Sequence, residues 1–284
     1  MYHEDGIGSR NHSSLGILLC VILALALAPT AGAQSQPPEY LRDRGGNTIP
    51  TSLFGTFVKD GELLVYPFYE YTKNNEDEYA PSELGAVGST DYLGESKEHE
   101  ALIFIGYGLT ESLALEFEAA VWAKKTLKTA PEDMSSLPDE IEESGLGDVE
   151  AQLRWLWRKE TADKPAFYSF FKVVFPLQND KFLIGTQDFE GEAGIGIIRG
   201  FGWGTLNGRL SIGSESEYAL EYIKRTSDRW RFVAALEGEE DEVSLIGEAQ
   251  CFLTPRIFLK LNSGFGITKK APDLAPEVGV LFSF

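Results

Sequence analysis

The feature that most constrains this chain is a period of two. From about residue 61 to Phe284, nearly every strand-length segment alternates apolar with polar side chains. In Asp148-Val149-Glu150-Ala151-Gln152-Leu153-Arg154-Trp155-Leu156-Trp157-Arg158, odd positions are apolar and even positions are mostly charged or amide. Successive side chains of a strand point to opposite faces, so each such segment has one greasy face and one wet face. A run of roughly a dozen of them is satisfied by a closed barrel in a bilayer, with lipid on the apolar face and the polar face turned inward.

The amino-terminal residues 1–33 read as a cleaved signal peptide. Leu15 to Ala28 is an unbroken apolar run containing Cys20, and Ala31-Gly32-Ala33 before Gln34 fits a small-x-small cleavage site. The run is too short to span as a helix. Residues 34–60, rich in Gly, Pro, Arg and Asp, read as an irregular periplasmic arm or a small plug. Residues 61–284 then form an all-β, transmembrane, antiparallel up-and-down barrel. Strands are expected at about 62–72, 100–109, 112–123, 148–158, 166–176, 188–199, 203–213, 216–224, 229–238, 242–253, 256–267 and 275–284. Twelve is an even number, as bacterial single-chain barrels have, with ten as the alternative if 203–213 and 216–224 fuse or one fails. The long connections Asn74–His99, Lys124–Gly147 and Leu177–Gln187 then all fall outside the cell, and the tight ones fall in the periplasm. Trp155, Trp157, Trp203 and Trp230 cluster toward the periplasmic level, with Trp122 at the upper one, as interfacial aromatics do.

Composition narrows the function. A formal net charge of −19 argues against nucleic acid, whose backbone needs a cationic partner. Cys251 alone follows the leader, which leaves no internal disulfide and no cysteine metal cluster. His99, the sole histidine after the leader, lies in Lys97-Glu98-His99-Glu100 and reads as a solvated residue where a loop meets a strand. No serine close in sequence shares its strand face, so neither an enzyme nor a cofactor is expected. Gly191-Glu192-Ala193-Gly194-Ile195-Gly196 lacks the spacing of a nucleotide loop and reads as close packing within a strand. Pro67 cannot donate to a ladder and marks a bulge or weak point in the first strand, a place where an apolar solute could leave sideways. The acid runs Glu76-Asp77-Glu78, Glu132-Asp133 and Asp139-Glu140-Ile141-Glu142-Glu143 are solvated outer loops that could also share divalent cations with lipopolysaccharide.

Strand parity gives the candidate lumen. The inward acids are Glu116, Glu118, Glu150, Glu190, Glu192, Glu217, Glu221, Glu237, Glu242 and Glu248. The inward bases are Arg154, Lys172, Arg209, Arg231, Arg256 and Lys260. In a narrow barrel such charges pair across the interior; in a wide one they line a water channel, and the acidic excess disfavours anions in both. Leu102, Phe104, Tyr168, Phe170, Val174, Phe252 and Phe258 also face inward, either as an apolar track for a solute or as packing for the lumen or plug.

Gly106-Tyr107-Gly108-Leu109-Thr110-Glu111, Ser144-Gly145-Leu146-Gly147-Asp148-Val149 and the closing Glu277-Val278-Gly279-Val280-Leu281-Phe282-Ser283-Phe284 resemble the outer-membrane β-barrel family named for the MetA pathway of phenol degradation. The resemblance runs from about residue 100 to 284 and implies a barrel, uptake of small and aromatic molecules, and no catalytic residues. It also implies that Phe284 belongs to the signal read by the barrel assembly machinery. The expected function is passive passage of small solutes, aromatic or hydrophobic ones among them, through the outer membrane of a Gram-negative cell. Outer-membrane lipids, lipopolysaccharide and the solute are the expected partners. The alternative is a closed, salt-bridged barrel with a structural role or a surface-binding role through its acidic loops.

Overall fold

The computed structural model describes residues 39–178, 180–214, 216–239 and 241–284; the expected leader lies outside the described residues. A short helix α1 (Tyr40–Asp43) and the two-residue strands β1 (Ile49–Pro50) and β2 (Phe57–Val58) precede the main sheet. The sheet comprises β3 (Leu63–Tyr79), β4 (Tyr92–Thr110), β5 (Leu113–Lys128), β6 (Glu140–Gly145), β7 (Val149–Arg158), β8 (Ala166–Phe175), β9 (Glu190–Phe201), β10 (Gly204–Ile212), β11 (Glu217–Arg225), β12 (Trp230–Glu239), β13 (Glu242–Thr254), β14 (Ile257–Gly266) and β15 (Ala275–Ser283).

Sequential antiparallel pairing carries the chain around from β3 to β15, and β15 returns to pair with β3. The wall is therefore closed. β5 is shared: its lower part pairs with β7 (Leu113↔Trp155 to Ala119↔Val149) and its upper part with β6 (Ala123↔Gly145 to Lys128↔Glu140). Counting β6 and β7 as one position, twelve strands make the ring. β10 and β11 remain separate, with a full register from Thr205↔Ile223 to Leu210↔Tyr218, so the ten-strand alternative does not hold. Closure leaves no sheet edge in hydrocarbon, which is what a bilayer demands of β structure.

Phe117, Leu153, Phe171, Ile195, Phe232, Leu245, Leu261 and Val278 are all exposed and point outward. Such a continuous apolar belt would be untenable in water. Trp155 stacks on Trp157 (ring centroids 3.7 Å apart) and Trp203 on Phe201 (4.9 Å), both beside the short turns. Among the described residues no helix is long and apolar enough to cross a membrane.

The strands run longer than expected at one place. β3 continues to Tyr79, β4 starts at Tyr92 and β5 reaches Lys128, so much of the expected loops 74–99 and 124–147 is strand. The reason is a second small core above the belt, where Tyr79, Leu127 and Ala130 pack with Leu84, Tyr92, Leu137 and Leu183. That core rewards continued alternation outside the bilayer. His99 accordingly sits inside β4 and not at a loop junction; its Nδ1 is 2.5 Å from the Tyr69 hydroxyl, and its ring lies against Tyr71.

Pro67 pairs with Ile103 of β4, while the β15 ladder skips from Gly279↔Phe68 to Phe282↔Val65. The missing rungs fall where the proline has no N–H to give. Gly279 lies beneath the stacked Tyr66 and Phe68 rings, and a Cβ there would come within 2.4 Å of Tyr66.

Candidate functional site: the lumen and its amino-terminal arm

Much of the segment 40–58 lies inside the barrel at the end bearing the short turns, with Arg42, Gly45, Lys59 and Asp60 exposed there. At the base, the Tyr40 ring covers Gly200, where a Cβ would stand 1.8 Å from it. The Arg44 guanidinium meets the Glu160 carboxylate at 2.6 Å, both side chains only 1 % exposed. Glu160 also accepts from the Gly200 N–H (3.0 Å) and lies 3.8 Å from Arg199. Asn47 and Glu160 exchange a further pair of hydrogen bonds, side chain to backbone, at 2.9 and 3.2 Å. Asp43 accepts from the Arg225 N–H at 2.7 Å, and Arg231 donates to the Asp43 carbonyl at 2.8 Å. Burial pushes the Asp43 carboxyl above the usual range, against the hydrogen bond it accepts from the Arg225 N–H.

From this base the chain rises, turns and descends as the β1–β2 hairpin. Ser52 donates through its N–H (3.0 Å) and hydroxyl (2.8 Å) to Glu116, and the Gly55 N–H donates to Glu221 (3.2 Å). Gly55 needs its left-handed φ of 62° and has no room for a side chain, since a Cβ would lie 2.4 Å from Val233. Ile49, Leu53 and Val58 fill the core with Leu64, Tyr66, Phe104, Tyr168, Phe170, Ile198 and Phe258. Tyr168 and Phe170 lie across Gly196 and Gly194 of β9, their register partners, where a Cβ would meet the rings at 2.1 and 2.3 Å. The glycines of that stretch are thus room for two inward aromatic rings.

Above the arm is a cavity of about 250 Å³, floored by Ser52, Leu53 and Phe54. Phe68 and Phe170 give it an aromatic side. Its carboxylates are Glu70, Glu118, Glu150, Glu192, Glu217, Glu237 and Glu277; its cations are Arg154, Lys172, Arg209 and Lys260. Each cation is engaged by an acid: Arg154 with Glu116 (3.2 Å), Lys172 with Glu192 (2.6 Å), Arg209 with Glu237, and Lys260 with Glu248 (3.0 Å). Arg209 also lies over the Phe54 ring, 4.8 Å from its centroid. Negative charge is therefore in excess around the cavity.

The expected lumen residues fall at three levels. Glu116, Arg154, Arg209, Glu221, Arg231 and Glu248 contact the arm or the layer it rests on. Glu118, Glu150, Lys172, Glu192, Glu217, Glu237 and Lys260 ring the cavity. Glu190, bonded from Ser214 at 3.4 Å, and Glu242 stand at the outer rim. Arg256 does not belong with them: it occupies the β13–β14 turn, exposed, because the strand ends at Thr254 and parity lapses there. Of the apolar candidates, Phe104, Tyr168, Phe170 and Phe258 are buried with the arm and Leu102 and Phe252 pack against that cluster, while Val174 is buried on β8. Glu160, Arg199, Arg44, Asp43, Gln250 and Glu70 escaped the sequence reading. The first four lie outside the strands or at their ends, where alternation is silent, and Glu70 follows the Pro67 interruption.

The outer acid runs engage lysines. Asp77 pairs with Lys125 (3.3 Å), Glu78 with Lys270 (2.6 Å) and Glu142 with Lys124 (2.9 Å). Hydrogen bonds to Glu78 and Asp241 hold the Lys270 ammonium above the usual lysine range. Among the described residues no group of three or more His, Cys, Asp or Glu is arranged to hold a metal ion.

An outer-membrane channel of the COG4313 group from Pseudomonas putida F1 is similar over 88 % of this chain and all of its own, with a TM-score of 0.56 at 13 % identity. The fold is that of an outer-membrane β-barrel. The translocator domain of the autotransporter NalP from Neisseria meningitidis matches over 80 % of this chain and 90 % of its own, with a TM-score of 0.50 at 10 % identity. The Ralstonia pickettii toluene transporter TbuX is more distant, with a TM-score of 0.41 at 8 % identity over 80 % of this chain and 89 % of its own. No family model matches the sequence, the phenol-pathway family included, and no curated protein does.

Proposed function

We propose that this barrel gives small solutes passive passage across the outer membrane, with the arm as its internal seal. The observation that carries the reading is the cavity above Ser52, Leu53 and Phe54, lined by charged and aromatic side chains and floored by the arm. The excess of carboxylates favours neutral or cationic solutes over anions. Phe54, Phe68 and Phe170 offer ring faces at the same level, and with the phenol-pathway resemblance they support a neutral aromatic solute. The pairing of every cavity cation with an acid favours the second reading, a closed salt-bridged barrel.

Flux into proteoliposomes separates the two. A neutral monocyclic aromatic should enter faster than its carboxylate derivative, and faster than into protein-free vesicles. Equal flux with and without the barrel, for the wild type and for a variant lacking the arm, would leave the closed barrel as the correct reading.

A further inference from the structure

Above the apolar belt, the outward face of β3, β4 and β5 changes character row by row. Tyr69, Ala101 and Trp122 share one row; Tyr71, His99 and Lys124 the next; Lys73, Lys97 and Thr126 the third. Glu95 opposite Lys128 closes the series, with successive rows about 7 Å apart along the strands. Tyr69 and Trp122 are exposed, at the level where hydrocarbon gives way to headgroups. The lysine rows follow directly above them.

Lys73 stands directly across from Lys97 on the open face of the sheet. Like charges in that position oppose strand pairing unless an anion sits over them. The protein's own acids do not fully supply it. Glu95 lies 3.3 Å from Lys97 and 3.8 Å from Lys128, and Glu142 lies 2.9 Å from Lys124, while Glu140 sits opposite Lys128 on β6. Among the described residues Lys73 makes no ion pair, and Glu95 acts on it only from a longer distance. Elsewhere on the upper part of the wall, Phe175, Phe189, Ile212 and Phe265 are exposed apolar residues. In a chain of net charge −19, four lysines are thus gathered on one outward sector, immediately over an aromatic row.

We propose that this sector binds the phosphorylated headgroup of an outer-leaflet glycolipid, the lipid A portion of lipopolysaccharide. Lys73 and Lys97 hold a phosphate between them, Lys124 and Lys128 flank it, and the acyl chains lie on Tyr69 and Trp122. A soluble anion would make no use of the aromatic row, and an uncharged lipid would make none of the lysines. The two demands of a phosphorylated lipid are met in adjacent rows of one face.

The test is the temperature at which the folded, heat-modifiable form of the full-length protein is lost in detergent micelles doped with defined lipid. Bisphosphorylated lipid A should raise it in a saturable manner, and fully dephosphorylated lipid A should do little. Lys73→Gln/Lys97→Gln should raise the half-saturating lipid concentration at least tenfold without lowering the lipid-free transition, because it also removes a like-charge pair. Glu140→Gln/Glu142→Gln should leave binding intact or tighten it. Millimolar inorganic phosphate should neither protect nor compete. Equal protection by the dephosphorylated lipid, full competition by free phosphate, or unchanged affinity in the lysine variant would each overturn the proposal. Should the lysine variant fail to fold, the two forms of lipid A compared on the wild type decide alone.

Discussion

Replacing Arg44 by methionine should unseat the arm. The substitution keeps the volume of the side chain but leaves Glu160, only 1 % exposed, without its principal counter-charge. Removing one partner of a buried pair costs about 3–5 kcal/mol, most of it the desolvated charge left behind. Here the Gly200 N–H at 3.0 Å and Arg199 at 3.8 Å remain, which places the cost at the low end of that range. About 3 kcal/mol corresponds to roughly a hundredfold change in the ratio of seated to unseated arm. Single-channel recording in planar bilayers reads that ratio as the frequency of open events. Glu160→Met should open the barrel similarly, by stranding Arg44. Arg44→Met/Glu160→Met should close it again, since two apolar side chains of like volume replace a buried pair at little net cost; the Arg44 Nε atom already lacks a hydrogen-bond partner. Single variants that are folded and conduct like the wild type would refute the latch. A double variant as leaky as the singles would mean that shape, not charge, holds the arm.

Proteinase K added to intact cells should cut within 80–91 or 129–139, where Val87 and Met134 are about nine-tenths exposed, and should spare the turn after Thr110; cleavage confined to the short turns would invert the topology. Leu153→Arg puts a charge into hydrocarbon and should lower stability in a vesicle refolding titration by about 2–4 kcal/mol near the midplane. Gln152→Glu, one residue away and beside Arg154, should cost much less, and the opposite order would shift the β7 register by one. Deleting Phe284, whose backbone exchanges hydrogen bonds with Leu63 at 2.9 and 3.2 Å while its ring stays exposed, should reduce membrane insertion without abolishing export; insertion at the normal level would remove its role as an assembly signal.

Alternation made the wall legible because each strand is solvated differently on its two faces. Leu153 and Arg154 could be assigned to lipid and lumen from sequence alone, and so could Phe171 and Lys172. The extension of β3 to β5 beyond the bilayer was hidden, because Tyr79 and Leu127 look like loop residues until the core they form with Tyr92 is seen. Parity also says nothing about depth. It could not tell that Glu116 accepts from the arm while Glu118, two residues on, faces the cavity. Arg44 and Glu160 belong to segments with no period at all, and their meeting is a fact of tertiary closure.

The arm's contacts also carry a consequence for the order of folding. Asp43 is bound by Arg225 and Arg231, 182 and 188 residues later in the chain. The surface that receives the arm is therefore not complete until β11 and β12 have been added. The wall itself is closed by the pairing of its last strand with its first, β15 with β3. Contacts of such sequence separation are entropically the slowest to form. The described part of the arm leads into β3 through only the short stretch 59–62. The base of the arm can thus take its seat only after strands from the far half of the chain are in place.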